Sequence, residues 1–240
     1  MADTGLTEHA VRYKEEEYRF WEAGNENGEA VVLLHAAFTD HRLFDRQIPA
    51  LAGDYRLLLL DLPGHGRHWR SASRITMGDV PELLRLALEH RGIRACHLIG
   101  VSLGALAAQA FAARHPDRVR TVTAVGGYSI HKANAAALRE QAKMRRKWIV
   151  HSLFAVRSFR RHVASSVCRT AEGRALAAEG ARHFTFASFR AFAGIPGWFA
   201  PRSEPVPYPL LVAVGDHDMD YVLNAAREWH RLEPGSRLAV

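Results

Sequence analysis

The sequence predicts an α/β fold with a mostly parallel central sheet, helices on both of its faces and a helical insertion. Short continuous apolar runs, which are typical of strands buried on both faces, alternate with stretches of helical spacing. About 75 residues after Tyr128 break this alternation, which resumes near Leu210. Because strands and helices alternate strictly, parallel strands joined by right-handed crossovers are the expected arrangement.

The predicted elements follow that order along the chain. A hairpin of two short alternating strands opens the fold, and apolar strands with intervening helices follow it. The predicted strands are residues 11–14 and 18–21 in the hairpin, and then residues 31–35, 57–61, 95–100, 119–125, 210–215 and 237–240. The predicted helices are residues 42–51, 78–91, 103–115 and 221–232.

The chain has 240 residues, which is the length of one domain with an insertion. We expect residues 1–130 and 206–240 to form the core and residues 131–205 to form a helical cap. An insertion at this point of a parallel sheet would lie above the carboxyl ends of the strands, where such sheets bind ligands.

The excess positive charge lies in the predicted cap. The net charge is +7, but residues 131–205 hold 14 of the 32 Lys and Arg and only 4 of the 25 Asp and Glu. Phosphate contacts need Lys and Arg, yet the sequence contains no zinc-finger, basic-zipper or RNA-binding motif, so we expect no nucleic-acid partner. Two interpretations stay open: a solvated helical surface, or a lid that attracts an anionic substrate.

The remaining composition favours a cytoplasmic protein without cofactors. Two cysteines cannot build a disulfide framework, and the first 20 residues have no apolar signal core. No apolar stretch is long enough to span a bilayer, so we expect no membrane partner. His65 and His68 have no third ligand nearby, and no G-x-G-x-x-G follows the first strand, so we expect neither a metal nor a nucleotide cofactor. The oligomeric state is left open.

The most informative motif is Gly100-Val101-Ser102-Leu103-Gly104. It follows a predicted buried strand directly and precedes a predicted helix, which is the context of a nucleophile elbow. The sharp turn strains the serine backbone and leaves room only for glycines two positions to either side. The serine hydroxyl would also lie at the helix amino terminus, where the helix dipole favours developing negative charge.

Through four segments in the same order and at the same spacing, nearly the whole chain resembles the α/β-hydrolase family. The first is the serine motif, and the other three are turns that follow predicted strands. They are His35-Ala36-Ala37-Phe38 at the oxyanion loop, Asp61-Leu62-Pro63-Gly64-His65-Gly66 at the D-x-P-G-H-G turn, and Gly215-Asp216-His217-Asp218 at the G-[DE]-x-D turn. Ala36 and Ala105 stand where the family often has glycine, and a positive φ at position 36 would be strained.

The resemblance implies a role for each of four residues. Ser102 would be the nucleophile, and Asp218 would orient the catalytic histidine. The main-chain N–H groups of Ala37 and Leu103 would form the oxyanion hole. His35 and His65 would have structural roles in their turns.

The catalytic histidine is the missing part of this resemblance. The family places it just after the eighth strand, which here is predicted at residues 237–240, so we expect it after Val240. His217 and His230 do not have the expected position. We expect the sequence to be a fragment of a longer enzyme, the alternative being a short protein that has lost the triad.

These features predict a serine hydrolase that cleaves a small carboxylic ester, thioester or lactone through an acyl-enzyme. A C–C bond hydrolase or lyase on the same fold is the first alternative. The second is a ligand-binding or partner-binding homologue that lacks a complete triad. The expected partner is a small-molecule substrate, and the basic cap favours a substrate that carries a carboxylate or phosphate.

Overall fold

The computed structural model describes residues 5–69, 72–132, 135–166 and 168–240. In these residues an eight-stranded sheet has the order β1-β2-β4-β3-β5-β6-β7-β8. β2 is antiparallel to β1 and β4, and the other neighbouring strands are parallel, which confirms the predicted fold class. The strands are β1 Thr7–Tyr13, β2 Glu16–Gly24, β3 Glu29–Leu34, β4 Tyr55–Leu60, β5 Cys96–Val101, β6 Val119–Val125, β7 Leu210–Ala213 and β8 Ser236–Ala239.

The helices alternate with the strands as far as β6, and three of them then follow in succession before β7. The α-helices of the described residues are α1 Ile48–Leu51, α2 Val80–His90, α3 Leu103–Arg114, α4 Ala135–Phe154, α5 Val156–Ser166, α6 Ala171–Gly180 and α7 Asp220–Leu232. α4, α5 and α6 thus lie in the predicted insertion, residues 131–205, which we call the helical segment. That this segment forms a separate cap stays a prediction.

The single helix predicted over residues 42–51 is wrong. The structure has a short 3-10 helix at His41–Phe44 and then the four-residue α1. Pro49 explains the interruption, because its ring would clash with the carbonyl of Asp45 in a continuous helix. The apolar spacing was real, however, since Phe44 and Ile48 are both buried against the sheet.

The two faces of the sheet are covered unequally. Helices α2, α3 and α7 pack on one face and enclose the main apolar core. On the other face, α1 and Phe44 cover β2, β3 and β4. Ile99, Thr123 and Leu211 are registered neighbours on β5, β6 and β7, and each is only half-buried.

Strand register brings the functional loops to one edge of the sheet. Leu34 at the end of β3 pairs with Gly100 near the end of β5, and Val101 pairs with Val125 at the end of β6. Val125 in turn pairs with Ala213 at the end of β7. The loops that follow these strands therefore begin at the same level, on the side of the sheet where parallel folds bind ligands.

A buried carboxylate fastens the antiparallel strand β2 to the parallel part of the sheet. Glu22 on β2 accepts hydrogen bonds from Arg56 Nε on β4 at 2.6 Å and from Arg91 Nε beyond α2 at 2.5 Å. Burial opposes ionisation, but the hydrogen bonds and charges of the two arginines outweigh it and lower the pKa of Glu22. Glu22 is only 6% exposed, so water cannot replace these contacts.

We expect Glu22→Gln to lower the free energy of unfolding by about 3 kcal/mol, because it leaves two guanidinium groups without their counter-charge. Urea denaturation monitored by circular dichroism measures this loss. The control is Glu17→Gln on the same strand, where the carboxylate is exposed and its ion pair with Arg19 contributes about 0.5 kcal/mol or less. Equal losses in the two variants would show that the Glu22 cluster does not fasten the strand.

Candidate active site

Ser102 occupies a strained turn between β5 and α3. Its backbone angles are φ 51° and ψ −108°, a region that residues with a side chain rarely adopt. The turn is held by a 2.7 Å hydrogen bond from Ser102 N to Val125 O at the end of β6. The Ser102 side chain is exposed at the carboxyl edge of the sheet, as a nucleophile elbow requires.

Close backbone approaches explain the glycines on both sides of Ser102. A Cβ atom at Gly100 would lie 2.3 Å from the carbonyl oxygen of Gly104, and one at Gly104 would lie 2.0 Å from Leu34 O. Neither atom could be accommodated without moving backbone. The two glycines therefore allow α3 to start directly against the end of β3, where the predicted oxyanion loop begins.

The predicted oxyanion loop forms a tight turn after β3. Thr39 N and Thr39 Oγ1 both donate to Ala36 O, at 3.3 Å and 2.8 Å. The residue with a positive φ in this loop is Phe38, at 65°. The sequence instead raises the question of such an angle at Ala36, two positions earlier. Ala37 lies between them, and its N–H is not used by the turn.

His35 holds the loop in place as a neutral side chain. Its Nε2 accepts a hydrogen bond from Leu62 N at 2.8 Å, so the ring proton is on Nδ1, which donates to Ala36 O at 2.8 Å. Complete burial lowers the pKa of His35. Both ring nitrogens are engaged with the backbone, which agrees with the structural role predicted for this histidine.

The two N–H groups predicted for the oxyanion hole come from adjacent pieces of backbone. Leu103 is the first residue of α3, so its N–H has no acceptor within the helix. The next residue, Gly104, would bring a Cβ to 2.8 Å from His35 O, two residues before Ala37. The start of α3 therefore lies against the loop that carries Ala37. That the Ala37 and Leu103 N–H groups act together on one oxyanion stays a prediction.

Asp218 lies next to the glycine pair that follows β6. A Cβ at Gly126 would be 3.2 Å from Asp218 Oδ2, and one at Gly127 would be 3.7 Å from Ser102 O. The pair thus lies between the predicted nucleophile and the predicted acid. Asp218 Oδ1 accepts a 2.8 Å hydrogen bond from Met219 N, which fixes the carboxylate at the start of α7.

Neither histidine close to the acid in sequence acts on Ser102 in this structure. His217 is exposed, and its Nε2 lies 3.9 Å from Asp216. His230 Nδ1 lies 2.8 Å from Ser236 Oγ. Among the described residues no histidine forms a hydrogen bond with Ser102 or Asp218, so the prediction that the base follows Val240 stays a prediction.

Asp61 connects the predicted oxyanion loop to the D-x-P-G-H-G turn. Its fully buried carboxylate accepts hydrogen bonds from His41 N and His41 Nδ1 at 2.8 Å and 2.9 Å, and from Arg67 N at 2.8 Å. Burial alone would raise the pKa of Asp61, but the contacts with His41, His35 and Arg67 hold it well below the usual range. Asp61 is therefore a charged structural anchor.

One group of possible metal ligands occurs among the described residues, and its atoms already have partners. Asp40, His41 and Asp61 offer atoms within 4.8 Å of one another. Asp40 is paired with Arg42, and Asp61 accepts from His41 and the Arg67 backbone. His68, whose spacing from His65 raised the question of a metal ligand, has its Nε2 2.9 Å from Arg19 O.

His65 is surrounded by aromatic rings. Its Nδ1 donates to Pro63 O at 3.0 Å, and its buried Nε2 has no hydrogen-bond partner among the described residues. The rings of Phe38, Phe184 and Phe192 lie between 5.6 and 6.3 Å from it, centroid to centroid. Burial and the neighbouring His35 lower the pKa of His65 to about 3, so the ring is neutral at pH 7.

Two features of this site have no counterpart in the sequence prediction. Phe38 carries the strain of the oxyanion loop and packs against Trp148 and Phe159 of the helical segment, at 5.1 Å and 5.7 Å. Gly126 and Gly127 separate Ser102 from Asp218. The Gly-Gly pair directly after a predicted strand was a usable signal, whereas nothing in the sequence indicates the conformation of Phe38.

Comparison with known proteins identifies the fold family. The family model described as "alpha/beta hydrolase fold" matches residues 29–183. A 2-hydroxy-6-oxononadienedioate/2-hydroxy-6-oxononatrienedioate hydrolase of Burkholderia vietnamiensis is 37% identical over 107 residues, 41% of this chain and 36% of that protein. A pimeloyl-[acyl-carrier protein] methyl ester esterase of Aeromonas hydrophila is 38% identical over 101 residues, 41% of this chain and 37% of that protein. These matches span little more than a third of each curated relative.

Solved structures share the fold over nearly the whole chain. A carboxylesterase of Nitrososphaera gargenis has a TM-score of 0.76 at 19% identity and covers 97% of this chain and 89% of its own. The enol-lactonase of Burkholderia xenovorans has a TM-score of 0.72 at 19% identity, covering 96% and 90%. The chain belongs to the α/β-hydrolase fold family. Its relatives in Burkholderia vietnamiensis and Aeromonas hydrophila are hydrolases.

We expect Ser102→Gly to raise the free energy of unfolding by about 1 kcal/mol relative to Ser102→Ala. Glycine relieves about 2 kcal/mol of backbone strain at φ 51°. Its greater conformational freedom in the unfolded chain lowers the free energy of unfolding by about 1 kcal/mol, which leaves a net gain of about 1 kcal/mol. Urea denaturation of the two variants gives the difference directly. A glycine variant no more stable than the alanine variant would show that Ser102 is not strained.

We expect His65→Asn to reduce the acid sensitivity of the fold. The folded pKa of about 3 lies below the unfolded value of about 6.5, so stability is complete above about pH 6.5 and falls as the unfolded chain takes up the proton. Between pH 7 and 5 this loss is about 2 kcal/mol, and the variant should avoid it while keeping a donor for Pro63 O. Urea denaturation at both pH values tests this, with exposed His217→Asn as the control that keeps the full loss.

Proposed function

We propose that the protein is a serine hydrolase that cleaves a small carboxylic ester, thioester or lactone. The conformation of Ser102 carries the proposal. A positive φ at a residue that is not glycine costs free energy, and here it presents an exposed hydroxyl at the start of α3. Such strain at a strand-to-helix turn is characteristic of a nucleophile.

In the proposed reaction Ser102 Oγ attacks the carbonyl carbon of the substrate, and a general base takes the hydroxyl proton. The N–H groups of Leu103 and Ala37 stabilise the negative charge on the carbonyl oxygen, each by about 3 kcal/mol. The protonated base then gives its proton to the leaving alcohol or thiol, and the acyl group stays on Ser102. In the second half of the reaction the base takes a proton from a water molecule as the water oxygen attacks the acyl carbon. The bond from that carbon to Ser102 Oγ then breaks, the protonated base returns the proton to Ser102 Oγ, and the acid leaves.

The base in this proposal is a histidine oriented by Asp218. The proximity of Asp218 to Gly126 supports this role, since that glycine directly follows the strand that holds the Ser102 turn. We place the histidine after Val240, as the resemblance implies. The helical segment serves as the cap that encloses the substrate, and the packing of Phe38 against that segment supports this arrangement. Free Cys96 and Cys168 support a cytoplasmic location.

Hydrolysis of a C–C bond is the second candidate, favoured by the relative in Burkholderia vietnamiensis named as a 2-hydroxy-6-oxononadienedioate hydrolase. The relative in Aeromonas hydrophila, named as an ester hydrolase, favours the first candidate at similar identity. Both reactions would use Ser102, so the substrate decides between them.

We expect a p-nitrophenyl alkylphosphonate to form an adduct on Ser102 in the protein purified from its native source. Peptide mass spectrometry locates the adduct, and hydrolysis of p-nitrophenyl esters and a vinylogous 1,5-diketone distinguishes the two reactions. Ser102→Ala should abolish the adduct and lower kcat by about 10⁶.

The matched control is Ser165→Ala, an exposed serine of the helical segment, which should behave as the wild type. An adduct elsewhere, or esterase activity that survives Ser102→Ala, would overturn the proposal. A folded native protein without adduct or turnover on either substrate would favour the alternative of a binding homologue.

A further inference from the structure

The end of α4 presents an apolar tip to solvent. Val150, Leu153 and Phe154 are 50%, 54% and 81% exposed, and they follow one another at helical spacing on one face. The opposite face is used for packing, since Trp148 contacts Phe38 and Ser152 is buried. Among the described residues this is the one place where three large exposed apolar side chains are neighbours on a single helix.

The chain around the apolar tip is strongly basic. Residues 141–171 contain eight Lys and Arg and no Asp or Glu. Arg146 and Lys147 lie one turn before Val150, and Arg157 lies three residues after Phe154. All three are exposed, and none has a carboxylate within ion-pair distance among the described residues.

The basic surface continues from the tip into a groove between α5 and α6. Arg161 lies one turn after Arg157 on α5, and it lines this groove of about 650 Å³ together with Arg160, Arg174 and Arg182. Ala164, Ala175 and Ala178 also line it. Glu179 is the one acidic residue of the lining, and it pairs with Arg182 at 3.1 Å.

We propose that the tip and its basic surroundings bind the surface of a membrane that contains anionic lipids. Apolar side chains that enter the boundary between headgroups and acyl chains, flanked by Lys and Arg that attract anionic headgroups, are the features of an interfacial site. The sequence predicts no membrane partner, because no apolar stretch is long enough to span a bilayer. No helix of the described residues is long and apolar enough to cross one. A surface site needs no such helix.

The charge pattern argues against other occupants. A second copy of the chain would bring two basic surfaces together, and the resulting repulsion opposes a dimer at this face. A nucleic acid would match the charge, but its phosphates gain nothing from Val150, Leu153 and Phe154. A side chain as exposed as Phe154, at the corner where α4 ends and α5 begins, projects outward and can enter a deformable surface.

The test is co-sedimentation with vesicles of phosphatidylcholine alone or with about 30 mol% phosphatidylserine, at about 0.1 M salt. Every variant carries Ser102→Ala, so that lipid hydrolysis cannot alter the vesicles and the result does not depend on the proposed activity. We expect binding to the anionic vesicles to be at least about 20-fold tighter than to the neutral ones, since each basic residue near the surface contributes about fivefold.

Two kinds of substitution separate the apolar and basic contributions. Arg146→Glu with Lys147→Glu should reduce binding to the level of neutral vesicles, whereas Arg94→Glu, at an exposed site before β5, should leave it within about twofold. Phe154→Ser should weaken binding about tenfold, and Phe154→Trp should preserve it, because tryptophan suits the membrane interface. Circular dichroism confirms that each variant is folded.

Three results would overturn the proposal. The first is equal or absent binding to the two kinds of vesicle. The second is a dimer in sedimentation equilibrium that Phe154→Ser dissociates, since the tip would then be an interface between copies. The third is binding to single-stranded RNA that is as tight as binding to the vesicles and is unchanged by Phe154→Ser.

Discussion

The arrangement of the candidate site depends on the buried carboxylate of Asp61. A charge removed from water is tolerated only when its oxygens are hydrogen-bonded, and Asp61 obtains those bonds from two loops. One is the segment after β3 that carries Ala37, and the other is the turn that carries His65. Tyr18 on β2 also donates to Asp61 O at 2.6 Å, so the antiparallel strand reaches the same point. Loss of this anion would leave the hydrogen bond from Leu62 N to His35 Nε2 as the remaining link between the two loops.

Strain is stored at the predicted nucleophile and next to the predicted oxyanion hole. Outside glycine, the described residues have positive φ values at Lys14 and Glu15 in the first hairpin turn, and at Phe38 and Ser102. The hairpin turn needs such angles for its geometry alone. Phe38 and Ser102 instead lie beside the predicted oxyanion hole, where a strained backbone persists only if the surrounding packing holds it. For Phe38 that packing comes from the helical segment.

The sequence predicted the strands well because buried apolar runs leave few alternatives. The leucines before Asp61 and the run before Gly100 became β4 and β5 within one or two residues of the expected bounds. The elbow followed from glycine spacing, since Gly100 and Gly104 meet backbone that excludes a Cβ. The prediction of a single helix over residues 42–51 was wrong, because apolar spacing alone does not show that Pro49 interrupts a helix. The positive φ of Phe38 could not be predicted from the sequence, because tertiary packing, and not local preference, sets that angle.

The helical segment has two sides with different physical demands. Its inner side must be apolar and closely packed, because Phe159 and Phe184 enclose Phe38 and thereby fix the turn that carries Ala37. Its outer side is free of that demand, and it carries the exposed apolar tip next to Arg146 and Lys147, which form no ion pair with any described residue. The two demands meet within a single helix, since α4 carries Trp148, which packs on Phe38, and less than two turns later the exposed Phe154.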